Sequence, residues 1–171
     1  MTPHGIYTTV DGRPALRFER RLAHPPGAVW RMVTDPAELR HWFPCEVELE
    51  LRVGGPMRFV FSPDLTLDGE VLELDEPRRI AFLWGVDVLR FEIAPDGDET
   101  LLTLLHVLNE EGEDAVAKTA AGWHVCLDGM ERRLAGEPGA PQTGGRSPEW
   151  DARYDEYVAR GLPSGAEIPA G

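Results

Sequence analysis

The strongest constraint on the fold of this chain is a change of hydrophobic period. Val47, Leu49 and Leu51 alternate with Glu46, Glu48 and Glu50, and Met57, Phe59 and Phe61 alternate with Arg58 and Val60. Ile80, Phe82 and Trp84 then alternate with Arg79, Ala81 and Leu83, and Leu89, Phe91 and Ile93 with Arg90 and Glu92. A period of two describes strands with one face in the core and the other in water. Gly54-Gly55, Asp68-Gly69, Glu76-Pro77 and Asp96-Gly97-Asp98 read as turns between these pieces, and Thr100 to Val107 as the last strand. Short strands joined by tight turns predict an antiparallel meander rather than βαβ crossovers. Beyond Gly112 the period becomes helical. Val116, Ala120, Trp123, Leu127, Met130 and Leu134 recur at three and four residues, one apolar stripe on a long helix that Gly136 ends.

Ahead of the meander, Asp11-Gly12 is a hairpin turn between strand-like pieces Ile6 to Val10 and Leu16 to Leu22. Pro25-Pro26-Gly27 breaks the second piece, and Ala28 to Val33 reads as a short helix. A second helix starts at Asp35-Pro36-Ala37-Glu38, where Asp caps, Pro suits the first helical position and Glu completes a capping box. It is expected to run into His41-Trp42-Phe43 and stop before Pro44. Residues 1–135 therefore form one domain with a hairpin extension over residues 1–14. Residues 136–147, rich in Gly and Pro, read as a flexible linker. Residues 148–171 form a tail whose short helix carries Trp150, Tyr154 and Tyr157 on one stripe. That stripe either folds back on its own domain or docks on a second copy.

Composition narrows the partners. The formal charge is −13, with 30 acidic against 17 basic residues, and the densest basic run, Arg17 to Arg21, is interrupted by Phe18 and Glu19. Such a field repels nucleic acid and anionic membranes. No stretch approaches a membrane span. The opening residues lack an apolar signal core, which makes the cytoplasm the expected location. Cys45 and Cys126 have no metal-like spacing and read as small buried hydrophobes with free thiols. No metal site or cofactor is expected.

The order strand, two short helices, meander and long helix predicts an α+β fold in which a curved antiparallel sheet grips the C-terminal helix, with an apolar cavity between them. Ala28-Val29-Trp30, Thr34 to Leu39, Trp42-Phe43, Gly54-Gly55, Gly69-Glu70-Val71, Pro77 to Ile80, Trp84, Thr100 to Leu104, His106 and Gly122-Trp123 stand in an order that resembles the helix-grip superfamily of START domains and the birch-pollen allergen. Within it, the chain looks closest to the bacterial branch similar to the activator of the heat-shock-protein-90 ATPase. The resemblance spans roughly residues 15–135.

Alternation and the family pattern together direct Trp42, Phe43, Phe59, Phe61, Trp84, Phe91, Trp123, Leu127 and Met130 toward the cavity. His106 shares strand parity with Leu102 and Leu104 and also points inward, as a ligand contact or an acid–base group. His41 and His124 read as rim or surface groups, and Glu92 faces away from the side of Phe91. Glu92, Asp87 and Glu70 are the strand carboxylates, but none pairs with a nucleophile in sequence, and no nucleotide or hydrolase fingerprint occurs. Three functions follow as expectations. The first is binding of a lipophilic or aromatic small molecule. The second is a cochaperone-like protein interaction through the acidic surface and the tail, in keeping with a stress-related role. The third is a cyclase or dehydratase using His106. A homodimer, the commonest assembly, is the expected oligomer, with the tail as its candidate surface.

Overall fold

The computed structural model describes residues 2–139 and 146–169. Eight strands form a single antiparallel sheet in the order β1-β2-β8-β7-β6-β5-β4-β3. The strands are β1 (Ile6–Val10), β2 (Arg13–Leu22), β3 (Glu46–Leu49), β4 (Pro56–Ser62), β5 (Leu65–Asp75), β6 (Arg79–Trp84), β7 (Asp87–Asp96) and β8 (Glu99–Val107). Helices α1 (Pro26–Thr34) and α2 (Pro36–Leu39) follow β2, and α3 (Val116–Leu134) and α4 (Pro148–Ala159) follow β8. The fold is the α+β helix grip, a curved sheet wrapped around α3. Among the described residues no helix is long and apolar enough to cross a membrane.

Register sets which side chains point at the helix. Leu16 and Leu89 both oppose His106, and Phe18 and Phe91 both oppose Leu104, so one row of the concave face carries Leu16, His106 and Leu89. Trp84 pairs with Asp87 across the two-residue turn Gly85-Val86, where Gly85 takes φ +63. That turn puts an indole and a carboxylate side by side at the end of β6 and β7.

Three boundaries differ from the sequence reading. Strand β3 ends at Leu49, and Leu51, expected on its inner face, is 41% exposed beyond it. Asp68-Gly69 is not a turn: β5 begins at Leu65, the turn is Pro63-Asp64, and Gly69 lies mid-strand. A Cβ at Gly69 would collide with Leu83 O on the neighbouring strand, so the glycine serves a close backbone approach. Helix α2 is also shorter than its capping signal suggested. Asp35 caps it through Ala37 N at 2.9 Å, but beyond Leu39 the chain tightens, with Trp42 N bonding Leu39 O at 3.1 Å. The Trp42 indole turns back to donate to Met32 O at 2.8 Å, tying the connection to α1.

Helix α3 ends as expected, in a Schellman arrangement: Glu137 N bonds Arg132 O, Gly136 N bonds Arg133 O, and Gly136 takes φ +80. Its apolar stripe faces the sheet, but its opposite side is buried as well. Helix α4 folds back on that side, with Trp150 6% and Tyr157 0% exposed, which decides between the two readings of the tail stripe. Ser147 caps α4 by accepting from Trp150 N. Beyond α4 the chain returns along the start of α3, where Pro163 O accepts from Ala117 N at 2.9 Å and so satisfies a first-turn N–H. Of the expected linker, residues 140–145 lie outside the described residues.

Candidate functional site

Between the sheet, α3 and the returning tail lies a cavity of about 700 Å³. Its wall is largely aromatic. Phe43 and Trp123 meet at 5.5 Å between ring centroids, Trp84 and Trp123 at 5.6 Å, and Phe61 stacks on Trp84 at 6.0 Å. Trp42, Phe43, Phe61, Trp84, His106 and Trp123 all line it. Phe59, Phe91, Leu127 and Met130, expected there from alternation, are instead packed in the core behind these rings, each no more than 1% exposed. Phe59 stacks on Phe43 and Phe82, and Phe91 packs edge-on to Trp42, so both rings are used within the core.

The wall also holds groups that periodicity did not direct to it: Asp87, Lys118, Cys126, Arg132 and Pro169, with Trp150 from the tail stripe. Asp87 was visible only as one of several strand carboxylates. The sheet turn at Gly85 and the register of β7 on β8 bring it to His106, with Oδ2 2.8 Å from Nε2. On the other side of the ring, Trp123 Nε1 donates to His106 Nδ1 at 2.8 Å. An indole N–H can only donate, so Nδ1 accepts, the ring proton lies on Nε2, and it is given to Asp87. Asp87 Oδ1 accepts in turn from Asn109 N at 2.9 Å and from Asn109 Nδ2 at 3.3 Å. Burial pushes the Asp87 carboxyl up, but the bonds from His106 and Asn109 outweigh it and hold the group below its ordinary value. The result is a chain Trp123–His106–Asp87–Asn109 from helix to sheet to loop, with both imidazole nitrogens engaged.

Burial pushes Cys126 and Cys45 up to about 12, which keeps both protonated at neutral pH. Glu92 faces the outer side of the sheet, half exposed, near Arg79. His41 is partly exposed, but His124 is fully buried, contrary to the surface position expected for it. The reason is the second cover of α3: Tyr157 Oη and Thr2 Oγ1 each lie 2.8 Å from a His124 ring nitrogen.

A gripped helix over an aromatic cavity defines the helix-grip class. The chain belongs to the family described as Activator of Hsp90 ATPase homolog 1-like protein, which matches residues 23–135. Among solved structures, a conserved protein of unknown function from Enterococcus faecalis is 24% identical with a TM-score of 0.72, covering 91% of this chain and 89% of that one. CalU16 from Micromonospora echinospora is 24% identical with a TM-score of 0.67, covering 90% of this chain and 92% of that one. DynU16, from the dynemicin biosynthetic locus, is 25% identical with a TM-score of 0.65; the match covers 72% of this chain and 48% of DynU16. No curated protein matches the chain.

Proposed function

We propose that this protein binds a lipophilic, aromatic small molecule in the cavity between its sheet and α3. The observation that carries the reading is the wall itself: a roughly 700 Å³ space bounded by Trp42, Phe43, Phe61, Trp84 and Trp123, within the size range of small-molecule sites. The commitment of both His106 nitrogens to Trp123 and Asp87 supports binding over acid–base chemistry, since a proton-transfer group needs a free nitrogen facing its substrate. DynU16 stands in a biosynthetic locus; brought to this chain, that setting favours a small organic ligand over a macromolecular partner. A cochaperone-like role loses the tail stripe as a docking surface, because Trp150 and Tyr157 are used within the chain, and is left with the acidic surface alone.

A thermal-shift screen against lipophilic aromatic compounds tests this. A ligand at one hundred times its dissociation constant stabilises by about 2.7 kcal/mol, or roughly 5–10 °C for a domain of this size. A saturable shift that a folded Trp84 variant loses supports the reading. A flat response across a broad panel counts against it. Turnover of a bound compound that disappears in His106→Ala would replace binding with catalysis.

A further inference from the structure

We propose, resting on the ligand-binding reading above, that Lys118 is an anion anchor at the cavity mouth and that the ligand is an aromatic acid. Its apolar body would fill the ring-lined cavity, and its ionised group would sit on the ammonium.

Lys118 is the sole lysine of a chain whose formal charge is −13. It lies on the cavity wall one helical turn before Gly122 and Trp123, and it is half-buried. Its Nζ donates to Glu167 O at 2.9 Å. Among the described residues no carboxylate oxygen lies within 4.0 Å of it, although Glu113 and Asp114 stand just ahead in sequence. That carbonyl uses one of three ammonium N–H groups, so among the described residues two donors have no partner. The cation is also held in place. Ala117 N bonds Pro163 O, and Ala166 N bonds Asp114 O at 3.2 Å, fixing the returning tail that supplies the carbonyl. A donor positioned before binding spends less of its interaction on ordering.

The other ionised groups on the wall already have hydrogen-bond or ion-pair partners. Asp87 accepts from His106 and Asn109. Arg132 lies fourteen residues further along α3, about 21 Å away, and faces Glu149 Oε1 at 3.9 Å. Among the described residues, the wall cation with no carboxylate oxygen within 4.0 Å is therefore Lys118. A bond between an ammonium and an ionised group is shorter and stronger than one between neutral partners.

The test uses a matched pair of fluorescent compounds on the full chain, 1-anilinonaphthalene-8-sulfonate and N-phenyl-1-naphthylamine. They share one aromatic body and differ by the sulfonate. The protein should bind the sulfonate about tenfold more tightly than the neutral amine, with one-to-one stoichiometry. Lys118→Met, which keeps the aliphatic stem, should erase that ratio by weakening the sulfonate, while the neutral amine still binds. The anchor is overturned if the neutral amine binds and the sulfonate gains nothing, or if the ratio survives in Lys118→Met. It is equally overturned if Arg132→Met, rather than Lys118→Met, removes the ratio. Failure of both compounds to bind would sink the ligand-binding reading as well, so the two failures are told apart by the neutral amine alone.

Discussion

Trp123 and His124 are neighbours on α3 and serve two different polar systems. Trp123 faces the sheet and joins a short chain in which the groups from indole to carboxylate have partners of matching kind. His124 faces the N-terminal segment and α4, where charge is dense. Asp128 Oδ2 lies 3.7 Å from His124 and 3.6 Å from Arg153, and His4 bonds Glu156 at 2.8 Å. Arg20, 2% exposed, donates to Pro3 O, while its Nε is 3.1 Å from Glu131 and its Nη2 3.5 Å from Asp128, neither with hydrogen-bond geometry. This chain, with Asp87 as its ionised group, ties α3 to the sheet at the cavity wall. The ionised cluster clasps three segments together, but it must hold its histidine uncharged. Burial, above all, drives His124 down to about 4; Asp128 resists that shift, and Arg153, Arg20 and His4 add to it.

The largest expected effect breaks the wall. Trp123→Ala removes a ring that is 3% exposed together with the donor to His106, and should cost roughly 3–5 kcal/mol in urea unfolding. Unchanged stability would show that the chain of bonds carries no structural load.

The next effect separates the two faces by pH. His124 has a folded pKa below its ordinary 6.5, so the unfolded chain takes up the proton first as pH falls. Its contribution is fully present above 6.5 and is lost as pH drops toward about 4, a change of about 3 kcal/mol. Asp87 is held below its ordinary 3.8, so the stability it lends is present above that value and is lost only at lower pH. Urea midpoints between pH 7 and pH 4 should fall steadily, and His124→Gln should flatten the curve. An equally steep curve in that variant would place the acid sensitivity elsewhere.

The smallest effect trims the clasp. Tyr157 Oη accepts from Gly5 N at 2.8 Å and bonds His124, and burial pushes its phenol up to about 12. Tyr157→Phe leaves the Gly5 amide buried without its acceptor and should cost about 1–2 kcal/mol, with faster hydrogen exchange at Gly5. Protection equal to that of the parent protein would mean that the amide finds another acceptor.

Much of the architecture was legible before any coordinates. The period-two runs became β3, β4, β6 and β7, and the stripe from Val116 to Leu134 became α3 within its bounds. Asp35 capped α2, but through Ala37 N, and Glu38, expected to complete a capping box, instead accepts from Arg133. Asp68-Gly69 misled because a glycine that admits a neighbouring backbone looks, in sequence, like one that makes a turn. His124 misled because it lies off the apolar stripe, and nothing local says that a second layer will cover that side. Asp87 was one carboxylate among several until register set it against His106.

What the sequence alone determined is the set of elements and their inward faces. Periodicity, caps and turn residues act within a few positions, so they can be read from neighbours. Tertiary structure decided which aromatics became wall and which became core, the tautomer of His106, and the two covers on α3. Those outcomes depend on groups far apart in the chain: Trp123 meets His106 across 17 residues, and Gly5 meets Tyr157 across 152. Hydrogen bonds and burial at such separations follow from how the sheet curves and where the tail returns, and no local pattern encodes either.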